Sequence, residues 1–273
     1  MNKTAHKHGF TLVEVLVVIG VIGILIAIAL PALSGARGSA LQTVSLSNVR
    51  SVGQQMEEYA SVQRQYPHRG FGDIPAELVG DEEYIPEENV IVVTWYPGQI
   101  VMATSDYFAQ AFLWPAIVTP IAEWPEYWST WISPRKDDAD LPKLEDFGFG
   151  DEPAPIEEQI SVRYSNSFVA APAFFSGQQH GANAESMFRA VKPHEVRYAS
   201  QKVMLWDNDL AYITRDIPER IDGLLDAKTP MCFADGHGDI LNPQDASDPV
   251  DNPRMERVMR LHATKDGVHG RDY

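Results

Sequence analysis

The chain is poor in cysteine and in positive charge. Among its 273 residues there is one cysteine, Cys232, so no disulfide forms within the chain and a folded domain must rest on burial. A lone thiol of this kind reads as a small buried apolar residue. Lys and Arg number 22 against 38 Asp and Glu, a net charge of −16. No basic block interrupts that acidity, which excludes nucleic-acid binding driven by phosphate neutralisation and argues equally against a cationic lipid-surface binder. Zinc-type Cys/His spacings are missing, as are a Gly-x-Ser-x-Gly nucleophile elbow and a phosphate-binding loop. His180, His194 and His237 stand in unrelated sequence contexts. The expectation is a non-enzyme without a cofactor.

What the sequence does have is one long apolar run. From Phe10 to Leu30, Glu14 is the sole charge, and a helix of that length is about 31 Å long, matching the hydrocarbon thickness of a bilayer. Lys3 and Lys7 precede the run and the next basic residue is Arg37. That asymmetry predicts a single pass with the first residues inside and the bulk outside. Glu14 is the anomaly, because a carboxylate in a transmembrane helix costs about 2.5–3.5 kcal/mol and normally has a partner. A secretory signal peptide has a basic start, but its apolar part runs only ~7–15 residues; small residues at Ala32-Leu33-Ser34 and Gly38-Ser39-Ala40 keep that reading open. A plain anchor explains length and orientation but not Glu14.

The segment Gly9-Phe10-Thr11-Leu12-Val13-Glu14, after a short basic leader and before a long apolar helix, resembles the processing motif of prepilins, the precursors of type IV pilins and of type II secretion pseudopilins. The resemblance covers about the first 35 residues. It implies cleavage between Gly9 and Phe10 by a prepilin peptidase, N-methylation of Phe10 by the same enzyme, and assembly into a filament. It also implies that Glu14 pairs with the Phe10 amine of a neighbouring subunit. An uncompensated charge in low dielectric is expensive, so satisfying it only in the oligomer favours correct register. Pro31 removes the hydrogen bond to the carbonyl of Ala27, at a point where the resemblance implies that pilin helices bend or locally melt on packing.

Beyond Pro31 the pattern turns amphipathic. Leu41, Val44, Val52, Met56 and Tyr59, with Val49 and Ala60 alongside, predict one stripe laid on a soluble domain, with the helix ending near Tyr66-Pro67. The rest reads as strands and long loops. A hairpin is expected from Asn89–Tyr96 and Gln99–Thr104 around Pro97-Gly98. In the aromatic stretch 105–131, a short helix is expected around Tyr107–Trp114, and a packed loop holds Trp124, Trp128 and Trp131. Residues 136–149 and 151–158 read as solvated loop. Strands are predicted at Ile160–Tyr164, Lys202–Trp206 and Met231–Ala234, the last turned by Asp235-Gly236 into His237–Leu241. The closing residues read as a partly ordered charged tail, with a helix at Arg254–His262.

The stretches "KVMLWDND" and "FADGHGDI" resemble the end of many pilin-like proteins, with a late strand, an Asp-Gly turn and a closing strand. One such group carries a histidine nine residues before the Asp-Gly; here that position is Leu225, a departure from its pattern. Asp235, His237 and Asp239 alternate, and Asp207 and Asp209 follow a preceding strand. Oxygen-rich sets of this kind hold calcium, while Asp and Gly also serve turns for backbone reasons alone.

The sequence is therefore read as an α+β pilin-like chain, with a long transmembrane-plus-amphipathic helix on an antiparallel sheet with large loops. The expected divisions are a leader over 1–9, a membrane helix over 10–30, its amphipathic continuation over 31–66, a periplasmic domain over 67–248 and a tail over 249–273. Expected partners are the prepilin peptidase/methyltransferase, other pilin or pseudopilin subunits and an inner-membrane assembly platform. The expected location is the inner membrane, with extraction into a filament. A membrane-tethered binding module using the aromatic stretch, and an exported soluble hydrolase, are the alternatives.

Overall fold

A computed structural model describes residues 11–68, 81–85, 90–96, 99–104, 110–112, 114–120, 123–134, 160–178, 185–213, 225–251 and 259–273. Two compact units are present, Met1–Leu41 and Gln42–Tyr273. One helix, α1 (Leu12–Gln63), runs through both, and Pro31 lies inside it without interrupting it. Its end at Gln63 falls close to the predicted stop.

The stripe that α1 buries differs from the predicted one. Ser45, Val49, Val52, Gly53, Met56 and Ala60 are buried, at steps of three and four that keep them on one face. Val44 is exposed, and Leu41 and Tyr59 are only half-buried. Two positions a hydrophobicity pattern passes over explain the shift. At Gly53 an added Cβ would stand 2.5 Å from Cys232 Sγ, so a glycine is what lets helix and sheet close together here. Ser45 donates its hydroxyl to a buried carboxylate of the sheet, Asp207, at 2.5 Å.

The sheet that receives this face has four antiparallel strands in the order β4 (Val162–Tyr164), β5 (Val203–Asp207), β6 (Thr229–Phe233), β7 (Gly238–Leu241), counting the three amino-terminal strands described below as β1 to β3. The predicted strands overlap these within one to two residues. In the pairing, Leu205 faces Cys232 and Trp206 faces Met231. Every residue of β5 and β6 is buried, as expected of strands covered on both sides. Leu205 and Cys232 belong to the core around Val49, Val52 and Met56. Val203, Trp206, Met231 and Phe233 form a second cluster with Ala246 and Leu261.

That second cluster corrects the expected tail. Within 249–273, Met259, Leu261, His262, Ala263, Val268 and Asp272 are buried; Leu261 and the partly buried Tyr273 pack into the second cluster, while Ala263 and Val268 join the first core. Lys202 Nζ pairs with Asp272 Oδ2 at 3.0 Å, both side chains almost fully buried. Thr264 Oγ1 accepts from Lys202 Nζ at 2.5 Å, and Asp272 Oδ2 accepts from the Val203 N–H at 2.8 Å. The expected helix at Arg254–His262 lies mostly outside the described residues, and residues 260–262 form a turn.

A separate antiparallel sheet has the order β1 (Asp81–Ile85), β2 (Val90–Tyr96), β3 (Gln99–Thr104). The predicted hairpin is β2 with β3, paired from Ile91↔Thr104 to Tyr96↔Gln99; β1 was not anticipated. The solvated loops expected over 136–149 and 151–158 lie outside the described residues.

Trp124, Trp128 and Trp131 are in a helix, α3 (Trp124–Trp131), rather than in a packed loop, and Trp114 stands just ahead of the short helix α2 (Pro115–Val118). Trp114, Trp124 and Trp131 are fully buried. Trp131 meets Trp114 and Trp124 edge-on, with ring centroids 5.5 and 5.7 Å away, the geometry that aromatic quadrupoles favour. Their indole N–H groups donate to the Val162 carbonyl, the Thr119 carbonyl and Gln55 Oε1 at 2.9, 3.2 and 3.2 Å. The loop reading failed because tryptophan every third or fourth residue is also a helix stripe, here burying one aromatic face beside α1.

Candidate functional site

The first turns of α1 hold the one charged residue in the apolar run. Thr11 precedes the helix, and Glu14 Oε2 accepts from both the Thr11 backbone N–H and the Thr11 hydroxyl, each at 2.8 Å. Thr11 Oγ1 in return accepts from the Glu14 N–H at 3.3 Å. This is a reciprocal capping box, in which a Thr and a Glu three residues on satisfy two donors that a helix start leaves over. Its sequence signal is Thr11-x-x-Glu14, a pattern that the cost of the charge alone does not bring out. Glu14 thus has a partner inside its own chain. Gly9 and Phe10 lie outside the described residues.

From Thr11 to Arg37 every residue is exposed. Leu12 is 80% and Leu33 67% accessible, so this run of apolar side chains has no cover within the described chain. An added Cβ at Gly20, Gly23, Gly35 or Gly38 would meet nothing within 4 Å. By length and composition α1 is able to cross a membrane. A helix apolar all round is stable only against lipid or other apolar helices. Pro31 lies on this exposed stretch.

The proposed metal residues are arranged differently. His237 Nδ1 lies 2.5 Å from Asp235 Oδ1, which also accepts from the His237 N–H at 3.1 Å. The imidazole stacks on Phe233 with centroids 4.3 Å apart. Gly236, at φ +83°, makes the tight turn that the Asp-Gly pair predicts. Asp239 Oδ1 accepts from the Ile240 N–H at 2.7 Å. Asp207 and Asp209 are at the opposite end of β5, since Val203 pairs with Phe233 while Asp207 pairs with Val162. Among the described residues no group of three or more His, Cys, Asp or Glu is placed to hold a metal ion. Asp235 Oδ1 and Asp239 Oδ1 are each engaged by a donor of their own turn or strand.

Asp207 is instead a structural carboxylate. Its Oδ2 accepts from Ser45 Oγ at 2.5 Å and Ser133 Oγ at 2.7 Å, and its Oδ1 from the Asp209 and Leu210 N–H groups at 3.1 Å. Burial pushes its carboxyl up to about 6 against these stabilising hydrogen bonds, with nearby Asp209 adding to the rise. It joins α1, β5 and the residue pair after α3. Sequence reasoning placed it in a possible cation site and missed Ser45 and Ser133, which carry no signal of their own. Cys232 is buried, and burial pushes its thiol up to about 12, which leaves it inert at neutral pH.

The prokaryotic N-terminal methylation motif matches residues 4–30. No curated protein and no solved structure matches the chain. The matched residues are the basic leader, the capping box and the exposed apolar helix. This chain therefore carries the prepilin-type motif of type IV pilins and pseudopilins.

Proposed function

We propose that the chain is a structural subunit, a pseudopilin, of a type II secretion or type IV pilus-like filament. In this reading prepilin peptidase cuts after Gly9, Phe10 is N-methylated, and the mature subunit assembles through its amino-terminal helix. The observation that carries the reading is the methylation motif at residues 4–30 coinciding with a helical stretch, residues 11–37, that is exposed throughout. The first residues lie on the cytoplasmic side, the 42–273 unit on the periplasmic side, and an inner-membrane platform lifts the subunit out of the bilayer. Burial of Trp114, Trp124 and Trp131 commits those rings to the core, so they favour no ligand-binding alternative.

Glu14 has two states in this scheme. Before assembly it is held by Thr11; in the filament it faces the Phe10 amine of the next subunit, while Pro31 eases local bending. Loss of Lys3 and Lys7 with the leader takes the net charge from −16 to −18.

Mass spectrometry of the mature chain tests the processing. A methylated Phe10 amino terminus is expected; an intact Met1, or a start near Ser34 or Ala40, would overturn it. Glu14→Gln separates the two roles of the carboxylate, because glutamine also serves a capping box but carries no charge. The variant is expected to insert and be processed yet fail to enter filaments. Normal incorporation in a cross-linking assay would remove the charge-pairing idea.

A further inference from the structure

Past Val44, two large apolar side chains are exposed among the described residues, Val62 at 72% and Tyr198 at 40%. Their surroundings are of opposite charge. Val62 lines a groove of about 300 Å³ between the last turns of α1 and residues 118–127, with Tyr59, Val118 and Tyr127 beside it. Glu58 and Glu123 are exposed on its lining, which includes no Lys or Arg. Tyr198 stands among cations. The Arg271 guanidinium lies 4.2 Å over its ring, and the N–H of the preceding Arg197 donates to the Val268 carbonyl at 3.1 Å, which joins the two segments. Arg197 and Arg271 are exposed, as are Lys192 and Lys265. Glu195 is taken up by Arg189, at 2.9 and 2.6 Å.

The fold brings both features to the same end of α1. Ser45 meets Asp207 at the end of β5, while an added Cβ at Gly53 would lie 4.0 Å from Leu205 Cδ1. β5 therefore runs back along the helix. Its start, where Lys202 pairs with Asp272 next to Arg271, points toward the last turns of α1. The Tyr66 N–H, just beyond the helix, donates to the Val191 carbonyl at 2.8 Å and fixes the segment that leads to Tyr198 there. The groove is built on those same turns, from Gln55 to Gln63.

We propose that Tyr198 and Arg271 of one copy of this chain seat in the Val62 groove of a second copy, with Arg197 and Arg271 facing Glu58 and Glu123. Tyr and Arg are the side chains that interfaces favour at their centre. The two surfaces share no residue, so the contact is heterologous and extends along a row of copies instead of closing a two-fold dimer. Their common level on α1 suits copies that stand side by side in one orientation. Opposite charge supplies orientation and encounter rate more than raw affinity, as befits a contact that adds register to an assembly held by apolar helices. The inference deepens the filament reading and rests on it.

The test uses the full-length chain in vesicles of zwitterionic lipid. Unlabelled copies carry the photoreactive benzoylphenylalanine in place of Tyr198, and 15N-labelled copies are otherwise unchanged. After illumination, mass spectrometry is expected to find position 198 of an unlabelled copy joined to a labelled peptide from 55–63 or 118–127. When the labelled copy is Glu58→Lys/Glu123→Lys, two exposed positions whose change leaves the thermal midpoint in place, the mixed-label yield is expected to fall about tenfold. Adding Arg197→Glu/Arg271→Glu to the photoreactive copy should restore it. Links confined to one label, links to other segments, a yield indifferent to the charge swap, or no link at all, which would leave the groove to a different protein, would each overturn the proposal. The filament reading fails separately, through an unprocessed amino terminus or a Glu14→Gln variant that assembles normally.

Discussion

Asp207 shows how a single residue can both fasten and tune the fold. Four donors converge on it from α1, from Ser133 and from the backbone after β5. Removing it leaves two hydroxyls and two amides facing a buried gap, and each unsatisfied group costs about 1–3 kcal/mol. Asp207→Ala is accordingly expected to lower stability by roughly 3–5 kcal/mol, read as the denaturation midpoint of the full chain in detergent. Its pH dependence has a definite sign. The folded carboxyl titrates at about 6, above its ordinary 3.8, so between those values the folded state holds the proton more tightly than the unfolded one. Stability contributed by this residue therefore falls as pH rises from about 4 to 6 and is level above. A shift of that size corresponds to about 3 kcal/mol. Asp207→Asn should remove this fall, so that parent and variant slopes differ in this window while the other carboxylates cancel in the comparison. A parent and a variant with parallel profiles would refute the assignment.

At the scale of elements, the packing of α1 on the sheet depends on small residues more than on large ones. Gly53 lets the helix approach Cys232, and a Cβ there would stand 2.5 Å from Sγ, 3.6 Å from Cys232 Cβ and 4.0 Å from Leu205 Cδ1. Gly53→Ala is expected to destabilise by about 1–3 kcal/mol through overpacking. Combining it with Cys232→Ala removes the sulfur and leaves only ordinary contacts, so the double variant should be more stable than Gly53→Ala alone. Thermal unfolding of the four members of the cycle measures the coupling; strictly additive losses would show that the two sites do not meet. The tryptophan helix α3 follows the same logic. Its Trp131 N–H reaches Gln55 of α1, so the polar edge of an apolar ring fixes the seat of the helix.

For the whole molecule, the decisive contact joins residues far apart in the chain. Lys202 and Asp272 form a buried pair at 3.0 Å, and burial draws the Lys202 ammonium below its ordinary range despite that partner. Asp272→Ala leaves a buried cation unpaired, which costs about 3–5 kcal/mol. Loss of the Asp272 clamp should also expose Trp206 and Met231, detectable as increased amide exchange in β5 and β6 relative to the unchanged first turns of α1. Protection equal to that of the parent would mean that 259–273 is held by other means. The charged composition of the closing segment misleads because Leu261 packs into the second cluster and Ala263 and Val268 into the first, interspersed among its polar residues.

The amino-terminal region is written in local residue order, because partition into hydrocarbon depends on consecutive side chains and a processing motif is a local string. The strands of the four-stranded sheet and the Asp235-Gly236 turn were legible for the same reason, as β-branched, apolar and turn residues act within a few positions of one another. Tertiary structure alone decided which face of α1 is buried, since Ser45 and Gly53 gain their value only when Asp207 and Cys232 arrive from more than 150 residues away. It also decided that the carboxylates of β5 and of the β6–β7 turn lie at opposite ends of a strand. Antiparallel pairing sets that separation, and no spacing along the chain encodes it.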